Sequence, residues 1–125
     1  MFKWATGNTY ALIVTVYPTN LTLNTPSALK LKDARYCMLG IDDEKKQAAI
    51  KAVKKEDIDL GLVPLENLHR ISYGKGYARI SNKSFIADLG RFIDIKDEGV
   101  KLPLTYDESE KMLIMNIDSN TTGGD

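Results

Sequence analysis

Apolar residues along this chain fall in short runs separated by polar turns. Tyr10 to Tyr17 (YALIVTVY) is rich in β-branched and aromatic residues and stops at Pro18, which predicts a largely buried strand. Leu21-Thr22-Leu23 alternates as a second, short strand. Thr25-Pro26 then has the form of a helix start, with Thr25 as cap and Pro26 at the first helical position, and predicts a short helix from Pro26 to Lys32. Tyr36 to Ile41 and Gln47 to Val53 flank the polar stretch Asp42 to Lys46 and predict a hairpin. From Lys54 to His69, Gly61 and Pro64 interrupt any long helix and predict a connector with one or two helical turns. Tyr73 to Tyr77 reads as a glycine-rich turn, Ala78 to Ile80 as a strand and Asn82 to Leu89 as a helix. Leu102 to Tyr106 and Met112 to Ile117 flank a second polar turn, Asp107 to Lys111. Residues 119–125 are expected to form a flexible tail.

The two halves of this pattern run in parallel. An offset of 57 lays Leu23 on Ile80, Thr25 on Asn82 and Leu29 on Ile86. An offset of 65 lays Asp42 on Asp107, Leu39 on Leu104, Ala48 on Leu113 and Ile50 on Met115. Each half is then a strand, a short helix and a hairpin, too small to cover both faces of its own sheet, so the two are expected to close on one another. The expected fold class is α+β, mainly antiparallel strands with two short helices. One compact domain is expected over residues 1–118, with pseudo-repeats 21–53 and 78–117. Alternation predicts a core containing Leu12, Val14, Leu23, Leu29, Leu39, Ile50, Ile80, Ile86, Leu104 and Met115.

A chain of 125 residues with 43% hydrophobic and 27% charged residues carries enough apolar side chains for a core, which argues against collagen-like, disordered and coiled-coil classes. Seventeen basic and seventeen acidic side chains cancel, so any attraction to a polyanion depends on local clustering. One cysteine excludes an internal disulfide. Ala11 to Val14 is a strand-length apolar run, far short of the roughly 20 residues of a membrane span, and the N-terminus lacks the pattern of a secretory leader. No membrane partner and a cytoplasmic location are expected.

The most distinctive charge feature is a strip in which Arg70, Lys75, Arg79 and Lys83 occur without an intervening acid and alternate with Tyr73 and Tyr77. Such a strip suits phosphate contacts; its plainer reading is a solvated edge strand blunted by charge. Gly74-Lys75-Gly76 lacks the spacing of a phosphate loop and reads as a turn. Asp42 to Glu44 lack the ligand spacing of a calcium loop and read as turn residues. His69 is the only histidine and is expected to end a helical turn, and Cys37 on a buried strand is expected to serve packing. With no pairing of nucleophile and base, neither catalysis nor a cofactor nor a metal is expected. Phe2 and Trp4 are candidates for an oligomer interface.

The stretch from Leu21 through Pro26 to Leu31, followed by Tyr36 to Val53 and echoed in residues 78–89 and 102–117, resembles the swapped-hairpin unit of the AbrB and MraZ transcription-factor superfamily. The resemblance implies two such units in one chain and a regulatory role on duplex DNA. Here Pro26-Ser27-Ala28 lacks the basic residue that the family has soon after the proline, and Lys32-Asp33-Ala34-Arg35 stands in place of its Gly-Asp pair. The expected function is therefore a DNA-binding regulatory module using Arg70, Lys75, Arg79 and Lys83. The alternative is a protein-interaction or assembly module, a homo-oligomer included, in which sheet edges pair with another chain.

Overall fold

The computed structural model describes residues 1–2 and 11–118. Among them are β1 (Ile13–Val16), β2 (Leu21–Asn24), α1 (Thr25–Leu29), β3 (Tyr36–Asp42), β4 (Gln47–Val53) and α2 (Lys55–Asp59). These are followed by a 3-10 turn (Leu65–Asn67), β5 (His69–Gly74), β6 (Tyr77–Ile80), α3 (Lys83–Leu89), β7 (Val100–Asp107) and β8 (Met112–Asn116). The strands form a closed antiparallel barrel in the order β1-β2-β6-β5-β3-β4-β8-β7.

Closure follows from how the hairpins are placed. The β3–β4 hairpin lies between β5 and β8, and the β7–β8 hairpin lies between β4 and β1, so each is inserted between strands of the other half. Alternation turns one face of every strand inward. Val14, Leu23, Ile50, Ile80, Leu113 and Met115 are wholly buried. An eight-stranded barrel has an interior that side chains can fill, and here they are apolar. On β1, β2, β5, β6 and β7 the outward positions include Thr15, Thr22, Ser72, Arg79 and Lys101. No helix among the described residues is long and apolar enough to cross a membrane.

Both long hairpins turn in the same way. The Asp42 carboxylate accepts from the backbone N–H groups of Glu44 (3.0 Å) and Lys45 (3.1 Å). The Asp107 carboxylate accepts from those of Ser109 and Glu110, both at 3.0 Å. Each turn closes on a lysine with positive φ, Lys46 at 55° and Lys111 at 59°. The segments that follow the helices pack reciprocally. Lys30 lies over the Tyr106 ring on β7 at 4.8 Å, while Arg91 reaches Asp43 in the β3–β4 turn at 3.4 Å.

Several expectations change. The α+β class survives only coarsely, since the sheet is one closed barrel with a third short helix, α2, in the connector. The cap of α1 is Asn24, not Thr25, because the Asn24 side chain accepts from Ser27 N (3.3 Å) while the Thr25 hydroxyl donates to the Gly76 carbonyl at 2.6 Å. That helix ends at Leu29, short of Lys32, where Lys32 and Asp33 take positive φ. Leu29 is 71% exposed, because the five-residue helix presents Ser27 to the core and the chain then turns Leu31 inward instead. Leu12 and Leu39 are partly buried against the core, and the other seven expected core residues are buried. His69–Gly74, not anticipated as a strand, is β5. With the barrel closed, every described strand has two neighbours, and the free sheet edge that the assembly reading relied on is absent among the described residues. Residues 119–125 and Trp4 lie outside the described residues, as does Tyr10.

Candidate nucleic-acid interface

The β5–β6 hairpin carries most of the basic strip. Its turn needs Gly76, with φ of 84°, and the Thr25 hydroxyl pins it to the start of α1. At Gly74 the Tyr77 ring lies across the backbone, and a Cβ there would stand 2.1 Å from the ring, so a larger residue would displace that side chain. Ile71, Ala78 and Ile80 point into the barrel, so Arg70, Ser72 and Arg79 point out.

Register aligns Arg79 with Thr22 on one side and Ser72 on the other, Thr22 with Thr15, and Thr15 with Lys101. The outer wall thus has a row Lys101, Thr15, Thr22, Arg79, Ser72 running across β7, β1, β2, β6 and β5. Beside it opens a cleft of about 340 Å³ lined by Thr19, Asn20, Arg79, Ser81, Asn82 and Lys83. Two cations, two amides and two hydroxyls converge there with no carboxylate. The Asn82 carbonyl oxygen is committed to capping α3, accepting from Phe85 N at 3.0 Å. Its amide nitrogen stands 3.0 Å from His69 Nδ1. His69 therefore opens β5 and braces the start of α3, rather than ending a helical turn.

The four expected phosphate contacts are divided in space. Arg79 and Lys83 share the cleft. Arg70 is exposed at the start of β5, one residue before Ile71, which pairs with Ile80, so it lies at the same end of the hairpin as Lys83, with Tyr36 on β3 as its own register partner. Lys75 is in the β5–β6 turn, beyond the opposite end of β6 from Lys83. The row and the cleft also gather Lys101, Thr15, Thr22 and Asn20, which come from segments up to 86 residues apart; the alternating hydroxyls of β1 and β2 are the one local signal for them in the sequence.

Cys37 is fully buried on β3, and burial pushes its thiol up to about 12, which keeps it protonated at neutral pH. No group of three or more His, Cys, Asp or Glu among the described residues is arranged to hold a metal ion. Set against known proteins, the chain matches no family model, no curated protein and no solved structure.

Proposed function

We propose that this chain is a DNA-binding regulatory module built from a duplicated, AbrB/MraZ-like swapped-hairpin unit. The observation that carries the DNA reading is the acid-free cleft in which Arg79 and Lys83 meet the Asn20 and Asn82 amides and the hydroxyls of Thr19 and Ser81. Phosphate contacts of this kind position a duplex without reading its sequence. Arg70 and Lys75 extend the positive surface to either side along the β5–β6 hairpin.

The duplication is supported by reciprocal registers. At an offset of 57, Leu21 corresponds to Ala78 and Leu23 to Ile80; Leu21 pairs with Ile80 and Leu23 with Ala78. At an offset of 65, Ala48 corresponds to Leu113 and Ile50 to Met115; Ala48 pairs with Met115 and Ile50 with Leu113. A two-fold relation between halves generates such exchanged pairs. The longer second half carries its extra residues in α3 and in the loop 90–99. Within Lys32-Asp33-Ala34-Arg35, the stretch that stands in place of the family's Gly-Asp pair, Lys32 and Asp33 adopt the left-handed backbone that a glycine takes at no steric cost.

The test is an anisotropy titration of the full chain on a labelled duplex at several salt concentrations. Binding at low salt with a steep salt dependence is expected. Replacing Arg79 and Lys83 together by Ala should flatten the slope of log affinity against log salt by about 2 units, roughly 0.9 per phosphate contact. Absence of binding at low salt overturns the reading. A protein-interaction role is the second reading, favoured by the exposure of Leu60, Leu62 and Leu65 in the connector, at 72%, 67% and 76%. Light scattering of the chain and of its triple Ser variant tests it through self-association.

A further inference from the structure

A second, larger cavity lies away from the Arg79–Lys83 cleft. It measures about 880 Å³ and lies between the loop that follows α1, the end of β4, and α2. That volume is within the range of small-molecule sites. Its floor is apolar, with Leu31 and Val53 only 2% and 6% exposed. Val53 belongs to the outward-facing set of β4, yet it is covered, and Tyr36 is its partner in register. Tyr106 lines the cavity from β7.

Charge is concentrated at the mouth. Lys30, Lys32, Arg35, Lys54, Lys55 and Lys111 line the cavity against three acids, Asp33, Glu56 and Asp59. Asp59 is occupied by Lys55 at 3.9 Å, which leaves the other five cations facing two carboxylates. Arg70, next to Tyr36 in register, adds a further cation beside the cavity.

Two features indicate a wall shaped for something other than packing. None of the residues of α2 is buried, so that helix flanks the cavity without closing onto the barrel. Consecutive positive φ at Lys32 (52°) and Asp33 (61°) bends the opposite wall in a conformation unfavourable for both side chains.

An apolar floor with tyrosines and a cationic mouth matches a ligand that has a flat ring at one end and phosphate at the other. We propose that this cavity binds a small phosphorylated nucleoside, with the base against Tyr36 and the phosphates on Lys32, Arg35 and Lys54. Bases of any identity stack on aromatic rings, and guanidinium binds phosphate through paired hydrogen bonds. The site shares no lining residue with the Arg79–Lys83 cleft and stands or falls independently of the DNA reading.

The experiment is a titration of the ¹⁵N-labelled full chain, followed by amide chemical shifts, with each of the four ribonucleoside triphosphates, with adenosine, with inorganic triphosphate and with a short duplex DNA. The expected result is saturable shifts at Ala34, Tyr36, Val53 and Ile58 with at least one nucleotide, at an affinity that neither adenosine nor inorganic triphosphate reaches. Tyr36→Ala and Lys54→Glu should each weaken that binding about tenfold. Lys54 is exposed, so the second variant keeps the test valid where the first disturbs the barrel. Three outcomes overturn the proposal: no saturable shift at these amides with any nucleotide, full reproduction of the shifts and affinity by inorganic triphosphate, or saturation of the same amides by duplex DNA alone.

Discussion

The Tyr73 hydroxyl donates to the backbone carbonyl of Ala34 at 2.5 Å, across 39 residues of sequence and over the thinnest seam of the barrel. There β3 and β5 pair only through Tyr36 with Arg70 and Cys37 with His69, extended by Ile71 N donating to the Arg35 carbonyl at 2.8 Å. A side chain takes over where the backbone ladder runs out. Tyr73→Phe is expected to cost about 1 kcal/mol, the usual net worth of a hydrogen bond, and to speed amide exchange of Ile71 more than that of Ile50 on the fully paired β4. Equal acceleration at both positions would contradict a local seam.

Alkaline pH acts on the same seam. Burial raises the Cys37 thiol from 9.0 to about 12, and burial, with the charges of Asp33 and Cys37, raises the Tyr73 phenol from 10.0 to about 12. The folded state holds both protons more tightly than the unfolded state, so their stabilisation is complete below pH 9 and is lost as pH climbs towards 12. Urea midpoints should fall over that window, and Cys37→Ala should reduce the fall. A midpoint that is flat from pH 9 to 11 would refute the assignment.

The helix caps differ in what else they hold. Asn24 Oδ1 accepts from the buried Ser27 hydroxyl at 2.6 Å and from Ile13 N at 3.2 Å, and its amide donates to the Ala11 carbonyl at 2.7 Å, tying β1 to α1. Asn82 caps α3 and meets His69 only. Asn82→Ala is expected to cost about 1 kcal/mol, and Asn24→Ala roughly 2 kcal/mol because it also strips partners from buried groups. Denaturant unfolding of the two variants decides the order.

Lys111 occupies the left-handed position of the β7–β8 turn with no ion pair described for it. Lys111→Gly should raise stability by about 1 kcal/mol through relief of Cβ strain. Gly76→Ala, at φ of 84°, should lower it by a similar amount. Thermal melts of both variants against the parent chain are sufficient to see opposite signs.

Because each hairpin is inserted between strands of the other half, neither half has its own closed sheet. Peptides spanning residues 11–54 and 69–118 are each expected to lack sheet structure alone and to regain it when mixed, as read by far-ultraviolet circular dichroism. A folded signal from either peptide by itself would show that the exchange is not required.

Local chemistry made much of this legible in advance. Asp42 and Asp107, each followed by polar residues and a lysine, specify their turns through their own carboxylates, and Asn82 specifies the start of α3 within three residues of itself. The alternation in Leu21-Thr22-Leu23 determines which face is buried, since successive side chains of a strand point to opposite sides. These are interactions of short range, and they survive without knowledge of any partner strand. What the tertiary structure alone decided is which strands meet. The sequence marks His69–Gly74 by charge and not by apolar content, because its inward side needs only Ile71 once β3 and β6 flank it. Leu29 is exposed and Val53 is buried on the outer face of β4 for the same reason: exposure depends on what covers a face, and α2 and the loop after α1 were not placed by any periodicity. The basic strip, continuous from Arg70 to Lys83 in sequence, is parted by its own hairpin, which carries Lys75 to the turn while the antiparallel pairing of β5 and β6 leaves Arg70 and Lys83 at the opposite end.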